Sequence, residues 1–169
     1  EFREVLSVRA ADAARFRSLA DLRGRKVATL GGTIAYDILL RSRDIDTLAY
    51  EDDVHPYSDL VLGRVDAVVL DNVLAARRAR TTPGFIIQPE PVAIGHYVGV
   101  LARGNAALRD ACNDILRGAM RDGTLERIFR GWNVWNDDQP RLYATVLAGG
   151  GVAPISGAPG DRKSTRLNS

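Results

Sequence analysis

The stretch Gly63-Arg64-Val65-Asp66-Ala67-Val68-Val69-Leu70-Asp71 (GRVDAVVLD, 63–71) decides how this chain folds. Gly63 ends the helix-like run PYSDLVLGR, and Val65–Leu70 reads as a short, almost unbroken apolar strand. A strand of that kind belongs in a parallel sheet covered on both faces. It stops at Asp71-Asn72, and a second helical run starts there. A carboxylate at the C-terminal end of a buried parallel strand stands where α/β sheets bind their ligands. Asp is also an ordinary N-cap, and position alone leaves both roles open for Asp71.

Working outward, the chain from Val27 to Arg80 alternates strand, helix, strand, helix, strand, helix. Lys26–Leu30 is a buried strand closed by Gly31-Gly32-Thr33, and the run from Thr33 has apolar residues at 34, 35, 38 and 39, a helical spacing. Ile45–Tyr50 is the next strand, Tyr57–Leu62 a helix, and Val73–Arg80 another. This alternation predicts a small parallel α/β sheet with right-handed crossovers. Residues 3–9 suit a strand, and SLADLRGRK after them forms a short helical turn. Phe85–Gln88 is a short strand, Pro89 and Pro91 interrupt, and Ile94–Ala102 reads as a long apolar strand. Asn105 is placed to cap a helix with an apolar stripe at 108, 111, 112, 115, 116 and 119, ended by Gly123; a second helix follows from Thr124. Cys112, the single cysteine, falls on that stripe and reads as core. Residues 147–160 are rich in Ala, Gly and Pro, which suits a linker, and DRKSTRLNS at the end resembles appended sequence.

Composition limits the function classes. Of the 169 residues, 46% are hydrophobic and 26% charged, as in an ordinary globular domain. A formal net charge of +2, from 23 basic and 21 acidic residues, gives no electrostatic case for nucleic acid. One cysteine rules out an internal disulfide, and His55 and His96 form no paired motif, so no metal or cofactor is expected. No window approaches the ~20 apolar residues of a membrane-crossing helix, and the N-terminus has no signal-peptide pattern.

Three features are expected to meet at one crevice, the third being the Ile94–Ala102 strand, which with residues 3–9 forms a pair of strands crossing between two lobes. Any strand-to-helix turn favours Gly and Thr, and that reading of Gly31-Gly32-Thr33 stays open beside a second: the turn bares backbone amides at a helix start, so the N–H groups of Ile34 and Ala35, with the Thr33 hydroxyl, form a small anion socket. Asp71 on a neighbouring strand supplies the opposite charge. A zwitterion carrying a carboxylate and an ammonium on one carbon matches both.

The ordered motifs SLADLRGRKVATLGGT (18–33), LVLGRVDAVVLD (60–71), HYVGVLARGNAALRDACNDIL (96–116) and RDGTLERIFRGW (121–132) resemble the family-3 periplasmic solute-binding proteins. These are the polar amino-acid-binding components of bacterial ABC transporters, and the match runs through about residues 4–135. The resemblance implies a type II periplasmic-binding-protein-like α/β fold: one complete parallel-sheet lobe, hinge strands, and C-terminal helices of the other lobe. It divides the chain into 1–18, a hinge strand and connector; 19–92, the second lobe; 93–135, the return strand and helices; and 136–169, a linker and tail. The first lobe's sheet, with its carboxylate-clamping arginine and ligand-packing aromatic, has no counterpart here.

The same resemblance places the ligand carboxylate on Gly32, Thr33 and Ile34 and its ammonium on Asp71, with Leu30 a departure from the polar residue often found before the glycines. It implies a periplasmic protein that binds an amino acid without turnover and presents it to a membrane permease, to which WNDDQ (135–139) hints at a fusion. The alternatives in this fold are a receptor-kinase sensing domain, or an enzyme such as a cyclohexadienyl or arogenate dehydratase. An enzyme needs a further acid or base, for which only Glu51, Asp52 and Asp53 offer themselves; His96 reads as packed.

Overall fold

A computed structural model describes residues 1–152 of the chain. These fall into two units: Phe2–Gly95, and Glu1 together with the residues from His96 on.

The first unit is a five-stranded sheet with helices on both faces. Its strands are β1 (Phe2–Arg9), β2 (Lys26–Leu30), β3 (Asp46–Tyr50), β4 (Ala67–Asp71) and β5 (Phe85–Gly95), in the order β3-β2-β4-β1-β5. Its helices are α1 (Ile34–Arg41), α2 (His55–Val61) and α3 (Asn72–Ala79). Strands β3, β2 and β4 run parallel, as their crossover helices require. β1 pairs antiparallel with both β4 and β5, so the sheet is mixed, and the strand expected as a hinge lies inside it.

The apolar run of β4 is explained by burial on both faces: Ala67, Val68, Val69 and Leu70 are each no more than 1% exposed. One face packs Val68 and Leu70 with Val5, Tyr57, Leu60 and Ala75, on the side of α2 and α3. The other packs Ala67 and Val69 with Leu6, Val8, Val27, Ala35 and Leu39, on the side of α1. After β2 the chain steps outward to β3 and then returns past β2 to β4. Crossovers of one hand that reverse direction must use opposite faces, which is where α1 and α2 lie.

Two sequence expectations need correction here. Pro89 and Pro91 do not break the strand: β5 runs continuously from Phe85 to Gly95 through both. It is an edge strand, where a missing N–H can face solvent, and its register against β1 shifts on either side of Val5, which pairs with Pro91. The long strand expected over Ile94–Ala102 instead ends at Gly95, because the ladder with β1 ends at Phe2↔Gly95. Beyond it Tyr97, Val98 and Val100 are exposed, and residues 96–102 have no regular structure. Without a neighbour, a strand leaves its N–H and C=O groups unpaired.

The second unit contains α4 (Ala106–Arg121), α5 (Thr124–Gly131) and α6 (Gln139–Leu147). Gly123, at φ 75°, turns the chain between α4 and α5. Asn105 occupies the N-cap of α4, but its side chain makes no capping hydrogen bond. No residue of α4 or α5 is buried; Leu108, Ile115, Leu116, Ile128 and Trp132 are all exposed. Cys112 is therefore half-buried and not in a core. In the expected linker, α6 buries Gln139 and Tyr143, with the Tyr143 ring edge-on to Trp135 at 5.6 Å between centroids. The rest of the expected linker, from 153, and the expected tail DRKSTRLNS (161–169) lie outside the described residues.

Candidate functional site

The β2–α1 turn forms because Gly32 takes a left-handed conformation, φ 70°, that an L side chain resists. Gly31 donates its N–H to the Tyr50 carbonyl of β3, 2.9 Å, fixing the start of the turn. Thr33 is the N-cap of α1: its Oγ1 accepts from the Tyr36 N–H at 3.2 Å and donates to the Leu30 carbonyl at 2.7 Å. With that proton committed, what the turn offers an anion is the backbone N–H groups of the first helical turn, at Ile34 and Ala35, which have no acceptor within the helix.

Asp71 is the last residue of β4 and the N-cap of α3. Its Oδ1 accepts from the N–H groups of both Val73 and Leu74, each at 2.9 Å. The capping reading therefore holds. Both bonds use the same oxygen, so the cap does not draw on Oδ2.

Register brings the two features level. Val27 pairs with Ala67 and Ala28 with Val68, and the same offset of 40 carried forward sets Gly31 beside Asp71. The α1 N-terminus and the Asp71 carboxylate thus stand at the carboxyl ends of adjacent parallel strands. That is also where the chain order reverses about β2, the place where open α/β sheets bind ligands.

A residue passed over in the sequence completes this row. Glu4 of β1 is the direct cross-strand partner of Asp71, so both side chains share one face. Glu4 is only 3% exposed, and its Oε2 has no hydrogen-bond partner among the described residues. Burial, reinforced by the Asp71 charge, raises its carboxyl to about 7. The available signal was an acid inside the apolar run FREVLSV, at a position whose neighbours all face a core.

In the acidic corner expected as the enzymatic alternative, Asp52 and Asp53 are held by structural bonds, while Glu51 is exposed. Asp53 pairs with Arg77 at 2.6 Å and Arg78 at 2.9 Å, on helix α3. Asp52 accepts from the His55 and Val54 N–H groups, with His55 foremost, which holds its carboxyl down at about 2. Neither environment raises a carboxyl toward the range of a general acid. His96, in the second unit, meets Glu1 Oε2 at 3.3 Å. A cleft of about 220 Å³ bordered by Leu19, Arg23, Ser42 and Ile45 lies at the opposite edge, where β2 and β3 begin. Among the described residues no cluster of His, Cys, Asp and Glu could hold a metal, and no helix is long and apolar enough to cross a membrane.

No family model matches the sequence. Individual proteins do. The chain is 33% identical over 115 residues to the L-cystine-binding protein TcyJ of Escherichia coli, covering 66% of this chain and 43% of that one. It is 31% identical over 140 residues to the lysine/arginine/ornithine-binding periplasmic protein of the same organism, covering 71% and 52%. Among solved structures, an ancestral arginine-binding protein bound to glutamine superposes with a TM-score of 0.65 at 25% identity, over 80% of this chain and 61% of that one. An amino acid ABC transporter substrate-binding protein from Streptococcus pneumoniae, at 19% identity and TM-score 0.68, shares the fold. The chain spans about half the length of the relatives it matches. With these matches falling on the fold and motifs described, the chain is related to the family-3 periplasmic solute-binding proteins, the amino-acid-binding components of ABC transporters.

Proposed function

We propose that this chain supplies one side of an extracytoplasmic receptor that binds an amino acid and delivers it to an ABC transporter permease. The observation that carries the reading is the level placement of the α1 N-terminus and Asp71 on adjacent strand ends. The ligand carboxylate would accept from the N–H groups of Ile34 and Ala35, beyond Gly32 and Thr33, where the helix dipole favours negative charge. Its ammonium would donate to Asp71 Oδ2, while Oδ1 continues to cap α3. The names of the relatives, binding proteins for cystine and for basic amino acids, support this class of ligand. Capture without turnover is the role that fits the acidic corner, where Asp52 accepts from N–H groups at the start of α2 and Asp53 is ion-paired to α3.

The test is calorimetric titration of the full-length protein with amino acids and with analogues lacking either the α-amino or the α-carboxyl group. Tight binding of an amino acid, lost in both analogues, is the expected result. Equal affinity for an amino acid and its deaminated analogue would remove Asp71 from the ligand.

A further inference from the structure

A single carboxylate suffices to bind one ammonium, yet this edge has two. Glu4 and Asp71 face each other across the β1–β4 ladder. Glu4 is almost wholly buried, and its Oε2 finds no donor among the described residues. A buried carboxyl oxygen without a partner costs stability, and nothing in the sheet's packing requires an acid at that position. Among the described residues, no ion pair joins it to a cation. β5 places Ala93 opposite it. The acid on β4 is Asp71 itself. On α3, Asn72 accepts the Arg3 backbone N–H, while Arg77 and Arg78 are engaged by Asp53. α1, on the face that Glu4 shares with Leu6 and Val8, carries Asp37 and Arg41, both exposed.

We propose that Glu4 is a second binding carboxylate of this edge, sharing the ligand's ammonium with Asp71 and losing a proton as the ligand arrives. The inference rests on the amino-acid-receptor reading above. An ammonium has three N–H donors, and one carboxylate oxygen of Asp71 is already committed to α3, so a second acceptor on the neighbouring strand completes its shell. Burial, reinforced by the neighbouring Asp71 charge, raises Glu4 to about 7, so that near neutrality it holds about half a proton before a ligand arrives. The arriving cation reverses that balance: the Glu4 O–H proton passes to solvent, and the carboxylate left behind accepts an N–H from the ligand. Binding is therefore coupled to pH, tighter where Glu4 is already ionised.

The experiment is titration of the full-length protein, wild type and Glu4→Gln, with L-lysine, L-arginine and L-cystine at pH 6, 7 and 8. Wild-type affinity for the amino acid that binds is expected to fall about tenfold from pH 8 to pH 6, the slope of a single-proton linkage. The Glu4→Gln affinity is expected to be weaker at pH 8 and flat across the series. Should the variant fail to fold, wild-type titrations at pH 7 in two buffers of different ionisation heat count the protons directly, with about half a proton released per amino acid expected. Binding with no pH dependence and no proton release overturns the role of Glu4 and leaves the receptor reading standing. Failure of all three amino acids to bind at every pH overturns both.

Discussion

Thr33 and Asp71 do the same local work after adjacent strands: each is the N-cap of the helix that follows its strand, Thr33 for α1 and Asp71 for α3. One cap uses a neutral hydroxyl and the other a carboxylate. The edge thus has one helix start open to an anion and one already compensated by a negative charge, a polarity that matches a zwitterion.

The two functions of Asp71 can be separated by choice of substitution. Asp71→Asn keeps an oxygen for the Val73 and Leu74 N–H groups and is expected to leave thermal stability nearly unchanged while weakening amino-acid binding by about 2–5 kcal/mol. Asp71→Ala should lose the binding and, in addition, about 1 kcal/mol of stability from the missing cap. Melting curves set beside titrations check this. Unchanged affinity in Asp71→Asn would exclude the carboxylate from ligand contact.

Two glycines of the sheet unit should respond differently to alanine. At Gly95 an added Cβ would lie 2.6 Å from the Phe2 ring, so that ring must move, at about 1–3 kcal/mol. At Gly32 nothing lies within 4 Å, and the cost is the left-handed backbone alone, about 1 kcal/mol. Chemical denaturation of both variants measures the difference. Only Gly32→Ala should also impair binding, through the Ile34 and Ala35 amides.

Glu4 predicts a dependence of stability on pH. Its carboxyl is raised from the ordinary 4.5 to about 7, so the folded state holds the proton more firmly than the unfolded one. The contribution is fully present below pH 4.5, declines as pH rises, and is lost above about 7. The linkage amounts to as much as about 3 kcal/mol. Glu4→Gln, neutral at every pH, should therefore gain stability over wild type as pH rises from 5 to 8. Parallel melting curves for the two proteins across that range would contradict the burial of an acid at position 4.

The 169-residue chain alone should bind amino acids weakly. Ion pairs open to water on one side are worth about 0–1 kcal/mol. The apolar faces of α4 and α5, with Ile115 71% and Trp132 77% exposed, should also drive self-association. A thermal-shift screen of the twenty amino acids and sedimentation velocity are the checks. One saturable stabilisation would show that the sheet unit carries a complete site.

Local signals made the α/β order legible. The apolar run of β4 required burial on two faces, and Gly63 and Gly123 marked helix ends that the structure keeps. What was illegible depended on neighbours. Pro89 and Pro91 look like breakers until β5 is seen to lie at an edge, and 94–102 looks like a strand until the β1 ladder is seen to stop at Phe2. The helix at Gln139–Leu147 was hidden by the linker composition that follows it. In the site, the glycine turn and Asp71 could be picked out by type and position. Glu4 could not, because its importance comes from a cross-strand pairing between residues 67 positions apart.

The α1 start and the Asp71 edge are expected to hold the two charged ends of an amino acid. Backbone amide NMR of the full-length protein, titrated with the amino acid that binds, is the decisive measurement. The largest shifts are expected on Ile34 and Ala35 and on the Asp71–Leu74 turn, and Asp71→Asn should abolish the saturable change at all of them. Saturable binding that leaves the Ile34 and Ala35 resonances unmoved would contradict this arrangement.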